Sequence, residues 1–254
     1  MSLQGNHLEY ISLKPYSSLK DLVESIWMVK NHSDQKTEGI IVPDGKIDLF
    51  LFVSENEPFE IFISGICSHP VPKPPFPKST MFAISFYPLA AEYIFGHSFS
   101  TLQDTREMLP TDYWGFSKED LTDFQCFYQK ACNIVSSQYS KEIDRRIKKV
   151  FELIYESKGE ITVSKLALLS SWSSRQMNRY FHNWFGITLK SYLNIIRFSN
   201  SLQQLKNGHL YPELNYGDQS HFIRDVKKFS GVRPTLLSKN ENDRFIQLSL
   251  MKRN

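Results

Sequence analysis

Two stretches of this chain, 45 residues apart, repeat one helical pattern, and that repeat limits what the C-terminal half can fold into. In WSSRQMNRYFHNWFG, Trp172 to Gly186, Ser173 and Gln176 form an S-x-x-Q capping box, while Trp172 and Met177 hold the two positions of a hydrophobic staple. Met177, Tyr180, Phe181 and Trp184 recur at i, i+3, i+4 and i+7, which predicts one inward face. Ser174, Arg175, Asn178, Arg179 and His182 then point outward. In GDQSHFIRDVKKFSG, Gly217 to Gly231, Asp218 stands where Ser173 did, Phe222 for Met177, Arg224 for Arg179, Val226 for Phe181, Phe229 for Trp184 and Gly231 for Gly186. One such match can arise by chance; two in register, closed by the same glycine, require a common structural cause.

The surroundings of the first block extend the pattern. Thr162 caps a short helix carrying Leu166, Ala167 and Leu169, so a helix, a tight turn and a second helix follow one another as in a helix-turn-helix. Between the blocks, Thr188 to Lys206 reads as one helix with Leu189, Tyr192, Leu193 and Ile196 on one face. Its span of about 28 Å is comparable with the ~34 Å that separates successive major-groove faces of a duplex. Upstream, Ile143, Ile147, Val150, Phe151 and Ile154 form the apolar face of a helix whose other faces carry Lys141, Arg145, Arg146, Lys148 and Lys149, and Gly159 ends it.

Charge divides the chain at the same place. Residues 1–140 hold 10 Lys+Arg against 17 Asp+Glu, a balance of −7, whereas residues 141–254 hold 20 against 10, a balance of +10; together they give the net +3. A basic C-terminal part suits a polyanionic partner, though a solvated basic surface would count the same way. Arg and Asn near an exposed helix start are side chains that fork onto guanine and adenine edges.

The N-terminal part reads as strands first and helices last. Residues 40–66 are apolar and β-branched runs broken by Pro-Asp-Gly and Glu-Asn-Glu-Pro, and KSTMFAISFY resumes as strand. Between them PVPKPPFP, Pro70 to Pro77, holds five prolines in eight residues, which predicts a stiff loop or a polyproline ligand. Pro88 opens a short helix that Gly96 closes, and Ser117 caps a longer one through Leu121, Phe124, Tyr128, Ala131 and Val135. Cys126 and Cys132 fall on the apolar side of that helix as packed thiols. His69 and His97 lack a second ligand at metal spacing. No phosphate loop, hydrolase elbow or zinc-protease string occurs. The hydrophobic share of 41% contains no run long enough for a membrane span, and three cysteines make no disulfide framework. These features, with a start that lacks the layout of a secretory signal, set the expectation of a cytoplasmic protein with no cofactor.

The cap and helix SSRQMNRYF, the turn G-I-T-L-K-S-Y, Arg197 in IIRFSNSL and the string Y-G-D-Q-S-H-F-I-R-D-V-K-K-F-S-G-V-R-P together resemble the AraC/XylS class of bacterial transcription regulators, over about residues 140–238. The resemblance implies an α+β chain of two domains. Residues 1–139 would form a β-rich sensor or dimerisation domain, a cupin-like barrel or related fold with trailing helices. Residues 140–254 would form an all-α DNA-binding domain of two helix-turn-helix units joined by a linker helix. It also implies a sequence-specific activator or repressor that binds duplex DNA, catalyses nothing, answers an unknown small-molecule effector, forms a homodimer and meets RNA polymerase. The DNA-binding residues it implies are Ser174, Arg175, Gln176, Asn178 and Arg179 in the first unit, then Gln219, Ser220, His221 and Arg224 in the second. The N-terminal part is similar to the sensor-type domain of some members through LVESIW, P-D-G-K-I-D-L, F-Y-P-L-A-A-E-Y-I-F-G and L-Q-D-T-R. Trp27, Phe50, Phe52, Phe62, Phe82 and Phe86 are candidate effector linings, and core packing accounts for them equally.

Two departures stand out. Tyr211 and Pro212 occupy the place of the second unit's scaffold helix, which predicts that this helix is a single turn or absent. Ser171 stands where the first unit's turn usually has glycine. The alternative to a regulator is a cupin-type enzyme fused to a degenerate helix-turn-helix module, and a third reading is an interaction protein that has lost DNA.

Overall fold

The computed structural model describes residues 8–34, 39–73, 77–139, 142–211, 214, 216–241 and 244–251. The alternation of the N-terminal runs is expressed as a six-stranded antiparallel sheet in the order β1-β2-β7-β4-β5-β8. Its strands are β1 (Leu8–Leu13), β2 (Val23–Asn31), β4 (Ile47–Ser54), β5 (Glu60–Ser64), β7 (Ser79–Phe86) and β8 (Arg106–Leu109). A separate pair, β3 (Gly39–Ile41) and β6 (Val71–Lys73), forms a two-stranded sheet. The expected barrel is therefore corrected to an open sheet. Among the described residues β1 and β8 are its edges, and β3 pairs with β6 and with Phe245 near the C-terminus instead of closing it. The proline run also departs from a simple loop. Val71–Lys73 is strand, tolerated because a two-stranded sheet is all edge; residues 74–76 lie outside the described residues.

Period-2 alternation gives the large sheet two different faces. Leu49, Leu51, Ile61, Ile63, Phe82, Ile84 and Phe86 point to the main core, where Phe82 packs edge-on against Phe124 and Phe127. The opposite face carries a separate cluster of Phe50, Phe52, Phe62 and Ala83, joined by Trp27 and Met81. Phe50 stacks on Phe62 at 4.8 Å, and Trp27 meets Phe50 edge-on at 5.9 Å. The six aromatics proposed as one lining thus separate into four on this face and two, Phe82 and Phe86, in the core behind it. Beside the four lies a polar row: Trp27 Nε1 donates to Ser85 Oγ (2.8 Å), and Ser85 Oγ donates to the Asp48 carboxylate. Loss of hydration and the nearby Asp44 carboxylate raise Asp48 to about 8.

Helices follow where the periodicity lengthens. Ala91–Phe95 is a short helix closed by Gly96 at φ +70°. The helix expected from Ser117 is two elements: Ser117 and Asp120 box a single turn, Lys118–Leu121, and Asp123 caps a new helix, α1 (Phe124–Gln138). Cys132 is buried in α1, whereas Cys126 is exposed. Then come α2 (Arg145–Glu156), α3 (Val163–Ser170), α4 (Ser174–Phe185), α5 (Leu189–Lys206), α6 (Gln219–Ser230), α7 (Pro234–Lys239) and α8 (Ile246–Leu250). One continuous set of buried side chains runs from Leu19 in the N-terminal part to Leu248 in α8.

The two parts meet at the Pro43–Lys46 turn. Tyr192 Oη of α5 donates to the Gly45 carbonyl (3.2 Å) and lies 2.8 Å from Tyr155 Oη of α2, while Lys46 Nζ sits 4.5 Å above the Tyr87 ring and 5.5 Å above that of Tyr155. Lys148 pairs with Asp21 at 2.6 Å across the same boundary. Gly45 has φ +78°, and a Cβ there would stand 2.8 Å from Ile196 Cδ1. Gly45→Ala should therefore cost roughly 1–2 kcal/mol for the left-handed conformation alone, with the clash added; a lowered urea midpoint at unchanged slope is the expected result.

Asp48 sets a pH dependence. Its folded value lies above the ordinary carboxylate range, so the folded state holds a proton that the unfolded state releases, and stability falls as pH climbs from about 4 to about 8. Urea midpoints of Asp48→Asn should fall less over that range than those of the parent protein. Equal slopes in the two would contradict the assignment.

Candidate nucleic-acid interface

The repeat seen in the sequence is present residue for residue. Helices α4 and α6 are 12 residues each, and both of their ends are offset by 45. Ser173 accepts from Gln176 N at the start of α4, and Asp218 accepts from His221 N at the start of α6. Gly186 at φ +73° and Gly231 at φ +77° close them with the same left-handed cap. Of the expected face, Met177 and Phe181 are buried in α4 and Phe222, Val226 and Phe229 in α6, whereas Tyr180 and Trp184 are half-buried and Phe185, outside the expected set, is buried beside them.

The first unit is a complete helix-turn-helix. Thr162 caps α3, and Ser171 ends it at φ +53°, a left-handed residue without the freedom of the glycine usual at that point. The turn presents α4 with Arg175, Gln176 and Arg179 exposed and Ser174 half-buried. Gln176 also works within the cap, its Oε1 accepting from Ser173 N (3.0 Å) and Ser173 Oγ (2.7 Å). Asn178 departs from the expected outward set. Its Nδ2 donates to Ser174 O, and its Oδ1 accepts from Leu189 N (3.3 Å), so the side chain is half-buried against the first turn of α5. The cause is an unpaired amide at the start of that helix, which needs an acceptor.

The second unit lacks a scaffold helix among its described residues. From α5 the chain passes through Gly208 at φ +87°, and Gln204 Nε2 donates to Tyr211 O (2.8 Å), pinning the backbone of a loop whose Tyr211 side chain is 70% exposed. Pro212, the other half of that departure, lies outside the described residues. In place of a scaffold helix α6 leans on α5 and α7. Phe229 and Phe198 rings are 5.2 Å apart, and Tyr216 packs edge-on to Phe222 and His221 under the Arg197 guanidinium, 4.9 Å away. Gln219, Ser220 and Arg224 are exposed. His221 is half-buried, its Nε2 3.6 Å from the buried Asp225 carboxylate. Arg224 Nε donates to Ser220 O (3.3 Å). A hollow of about 440 Å³ lies here, lined by Gly217, Asp218, His221, Arg224, Asp225 and Lys228. The exposed Lys228 belongs to this surface and is absent from the expected set; the spacing of Arg224 and Lys228, i and i+4 on one face, is the available signal.

Helix α4 touches the N-terminal part along its C-terminal half. Ser98 Oγ donates to Asn183 O (2.6 Å), Phe99 N donates to Trp184 O (2.8 Å), and Tyr180 Oη donates to Glu92 (2.9 Å). The first turn of α4, with Arg175, stays clear of these contacts. Among the described residues no group of three or more His, Cys, Asp or Glu converges as metal ligands would, and no helix is long and apolar enough to cross a membrane.

Residues 11–108 match the model of a domain of unknown function, DUF6597, which covers less than half of the chain. No curated protein matches. Among solved structures, ToxT from Vibrio cholerae O395 is 10% identical with a TM-score of 0.43, covering 91% of this chain and 95% of that chain. ToxT from Vibrio cholerae strain SCE256 with bound unsaturated fatty acid is 10% identical with a TM-score of 0.40, covering 92% and 96%. Likeness of that degree assigns neither ligand nor site to this chain.

The role of Asn178 is open to a direct test. Asn178→Ala should lower stability by about 1 kcal/mol, the net value of a hydrogen bond that spares a helix-start amide. An unchanged denaturation midpoint would mean that Leu189 N is served by solvent.

Proposed function

We propose that the chain is a transcription regulator that binds duplex DNA through α4 and α6 and catalyses no reaction. The observation that carries this reading is the register of the two helices: equal length, equivalent caps and equivalent buried faces, with exposed basic and amide side chains toward the start of each. A solvated surface needs no such duplication, whereas two successive contacts along a duplex do. Arg175, Gln176 and Arg179 of α4 and Gln219, Ser220 and Arg224 of α6 are the proposed contacts to bases or phosphates. Ser174 and His221, both half-buried, would reach the backbone or orient a neighbour. Asn178 is assigned to the α4–α5 joint. The +10 balance of residues 141–254 supports the same partner.

In this reading the N-terminal sheet is the sensing part, and its second face, floored by Trp27, Phe50, Phe52 and Phe62 beside Asp48 and Ser85, is where a small effector would lie. Action in the cytoplasm of a bacterium as an activator, as a homodimer and in contact with RNA polymerase belongs to the same proposal through the family resemblance.

Selection of bound sequences from a random duplex pool by the full chain tests the reading. Enrichment of one motif is expected, and recovery of random sequence at low salt would overturn it. Binding to that motif should weaken about a thousandfold between ~50 and ~200 mM salt if about six phosphates are contacted. Arg179→Ala should cost about 1–3 kcal/mol and relax preference at one base pair; an equal loss on all sequences would make Arg179 a phosphate contact.

A further inference from the structure

Two loops at the β5–β8 edge of the sheet reach the C-terminal ends of the proposed reading helices, one bonded to α4 and the other lying beside the closing glycine of α6, and the Asp104 carboxylate joins backbone hydrogen bonds in tying those loops together. Residues 65–70 leave β5 and residues 98–105 lead into β8. Their backbones are joined where Gly65 N donates to Thr105 O (3.3 Å) and Asp104 N donates to Ile66 O (3.2 Å). The approach is tight: a Cβ on Gly65 would fall 2.3 Å from Leu102 O. Asp104, left-handed at φ +58°, gathers donors from both loops. Its carboxylate accepts from Ser68 N (2.5 Å), Ser68 Oγ (2.7 Å) and Gln103 Nε2 (3.0 Å), and His69 Nδ1 lies 3.1 Å away.

From this knot one arm reaches α4. Besides the bonds from Ser98 and Phe99 to the last carbonyls of that helix, a Cβ on its cap Gly186 would meet Ser100 O at 2.8 Å and Gln103 Oε1 at 2.9 Å. The other arm reaches α6, where a Cβ on its cap Gly231 would lie 3.8 Å from Pro70 Cγ. Gln103 and Pro70, the residues beside the two caps, are thus each within two residues of a side chain bonded to Asp104.

We propose that Asp104 is a positioning residue that fixes the separation of α4 and α6, so that the N-terminal sheet edge sets the spacing between the two elements of a DNA site. The inference rests on the DNA-reading function proposed above and adds what determines spacing. With no scaffold helix among the described residues of the second unit, α6 takes its reference from α5, α7 and this knot. Loss of the carboxylate removes the acceptor that Ser68 and Gln103 share, leaving the long bond from Gln103 Nε2 to Ser68 Oγ (3.5 Å) and the two backbone bonds, so the arms are held more loosely.

The test uses the full chain with Cys126→Ser, which removes the exposed thiol, and nitroxide labels at His182→Cys in α4 and Lys227→Cys in α6, both exposed. Pulsed electron resonance should give one narrow distance with Asp104 present and a broad one in Asp104→Ala. Asp104→Asn, which keeps one carbonyl acceptor for Ser68, should fall between. Should Asp104→Ala not fold, Pro70→Gly severs only the arm to Gly231 and should broaden the distribution alone. Unchanged widths in the folded variants overturn the proposal. A second readout uses the best duplex from the random pool with one base pair inserted between its two elements: the parent should lose about tenfold or more and Asp104→Ala markedly less. Equal losses overturn it. A parent chain that binds no duplex would defeat the DNA reading itself, while the label distances, measured without DNA, still decide the role of Asp104.

Discussion

The burial of α5 on almost every side is the constraint to which the rest of the C-terminal half answers. Leu189, Tyr192, Leu193, Ile195, Ile196, Phe198, Leu202 and Leu205 are all buried, and they do not lie on one stripe. A helix whose apolar residues spread this widely must be covered over most of its circumference. Helices α2, α4, α6, α7 and α8 each pack on it, and the Pro43–Lys46 turn supplies a further wall. Because α4 and α6 bury their apolar faces in this shared core, their polar faces are turned away from it, and the surface proposed to read DNA is a by-product of how the core is closed.

What could be read from the sequence follows the range of the interaction responsible. The caps at Ser173, Asp218 and Thr162, the glycine closures and the burial of Met177, Phe181, Phe222, Val226 and Phe229 depend on neighbours within one or two turns, and they stand where the pattern places them. The break between Leu121 and Phe124 is hidden in the sequence because Ser117 and Asp123 both make good caps and the apolar spacing runs through both elements. The orientation of Asn178 is not legible locally, because its partner, Leu189 N, belongs to the next helix. The open sheet was out of reach for the same reason in larger measure. Strand β7 lies between β2 and β4, and no local signal says which distant strand a run will pair with. Alternation did mark Phe82 and Phe86 as lying on the other face from Phe50 and Phe52, but only once β4 and β7 were known to be neighbours in register, with Phe50 opposite Ala83. Asp104 stands in the L-Q-D-T-R string, but nothing in that string says what its carboxylate holds, since Ser68 is 36 residues away.

Charge works differently in the two parts. The acidic N-terminal part places some of its carboxylates against the helical part, Asp21 with Lys148 and Glu92 with Tyr180. The Asp21–Lys148 ion pair, half-exposed on both sides, contributes little to stability, so its effect is mainly to mark where the two parts meet. Asp44 and Asp48 are another matter. Burial raises both above their ordinary range, with Lys46 between them in the chain and its ammonium over the Tyr87 and Tyr155 rings. The aromatic face proposed to receive an effector and the joint to the helices therefore share one electrostatic neighbourhood.

The Pro43–Lys46 turn carries a consequence for how such a chain can change over generations. In isolation Pro-Asp-Gly-Lys is ordinary strand punctuation, and a turn of that kind usually drifts freely. Here the Gly45 carbonyl receives the hydroxyl of a tyrosine 147 positions further along, and the space above its α-carbon is filled by Ile196. A substitution at the turn is tolerable only with a matching retreat at Tyr192 or Ile196, and a bulkier linker helix only with the glycine kept. The three positions form a linkage group, so relatives of this chain should inherit them as a set, and an exchange of N-terminal halves between relatives that splits the set would yield chimaeras whose two halves no longer seat.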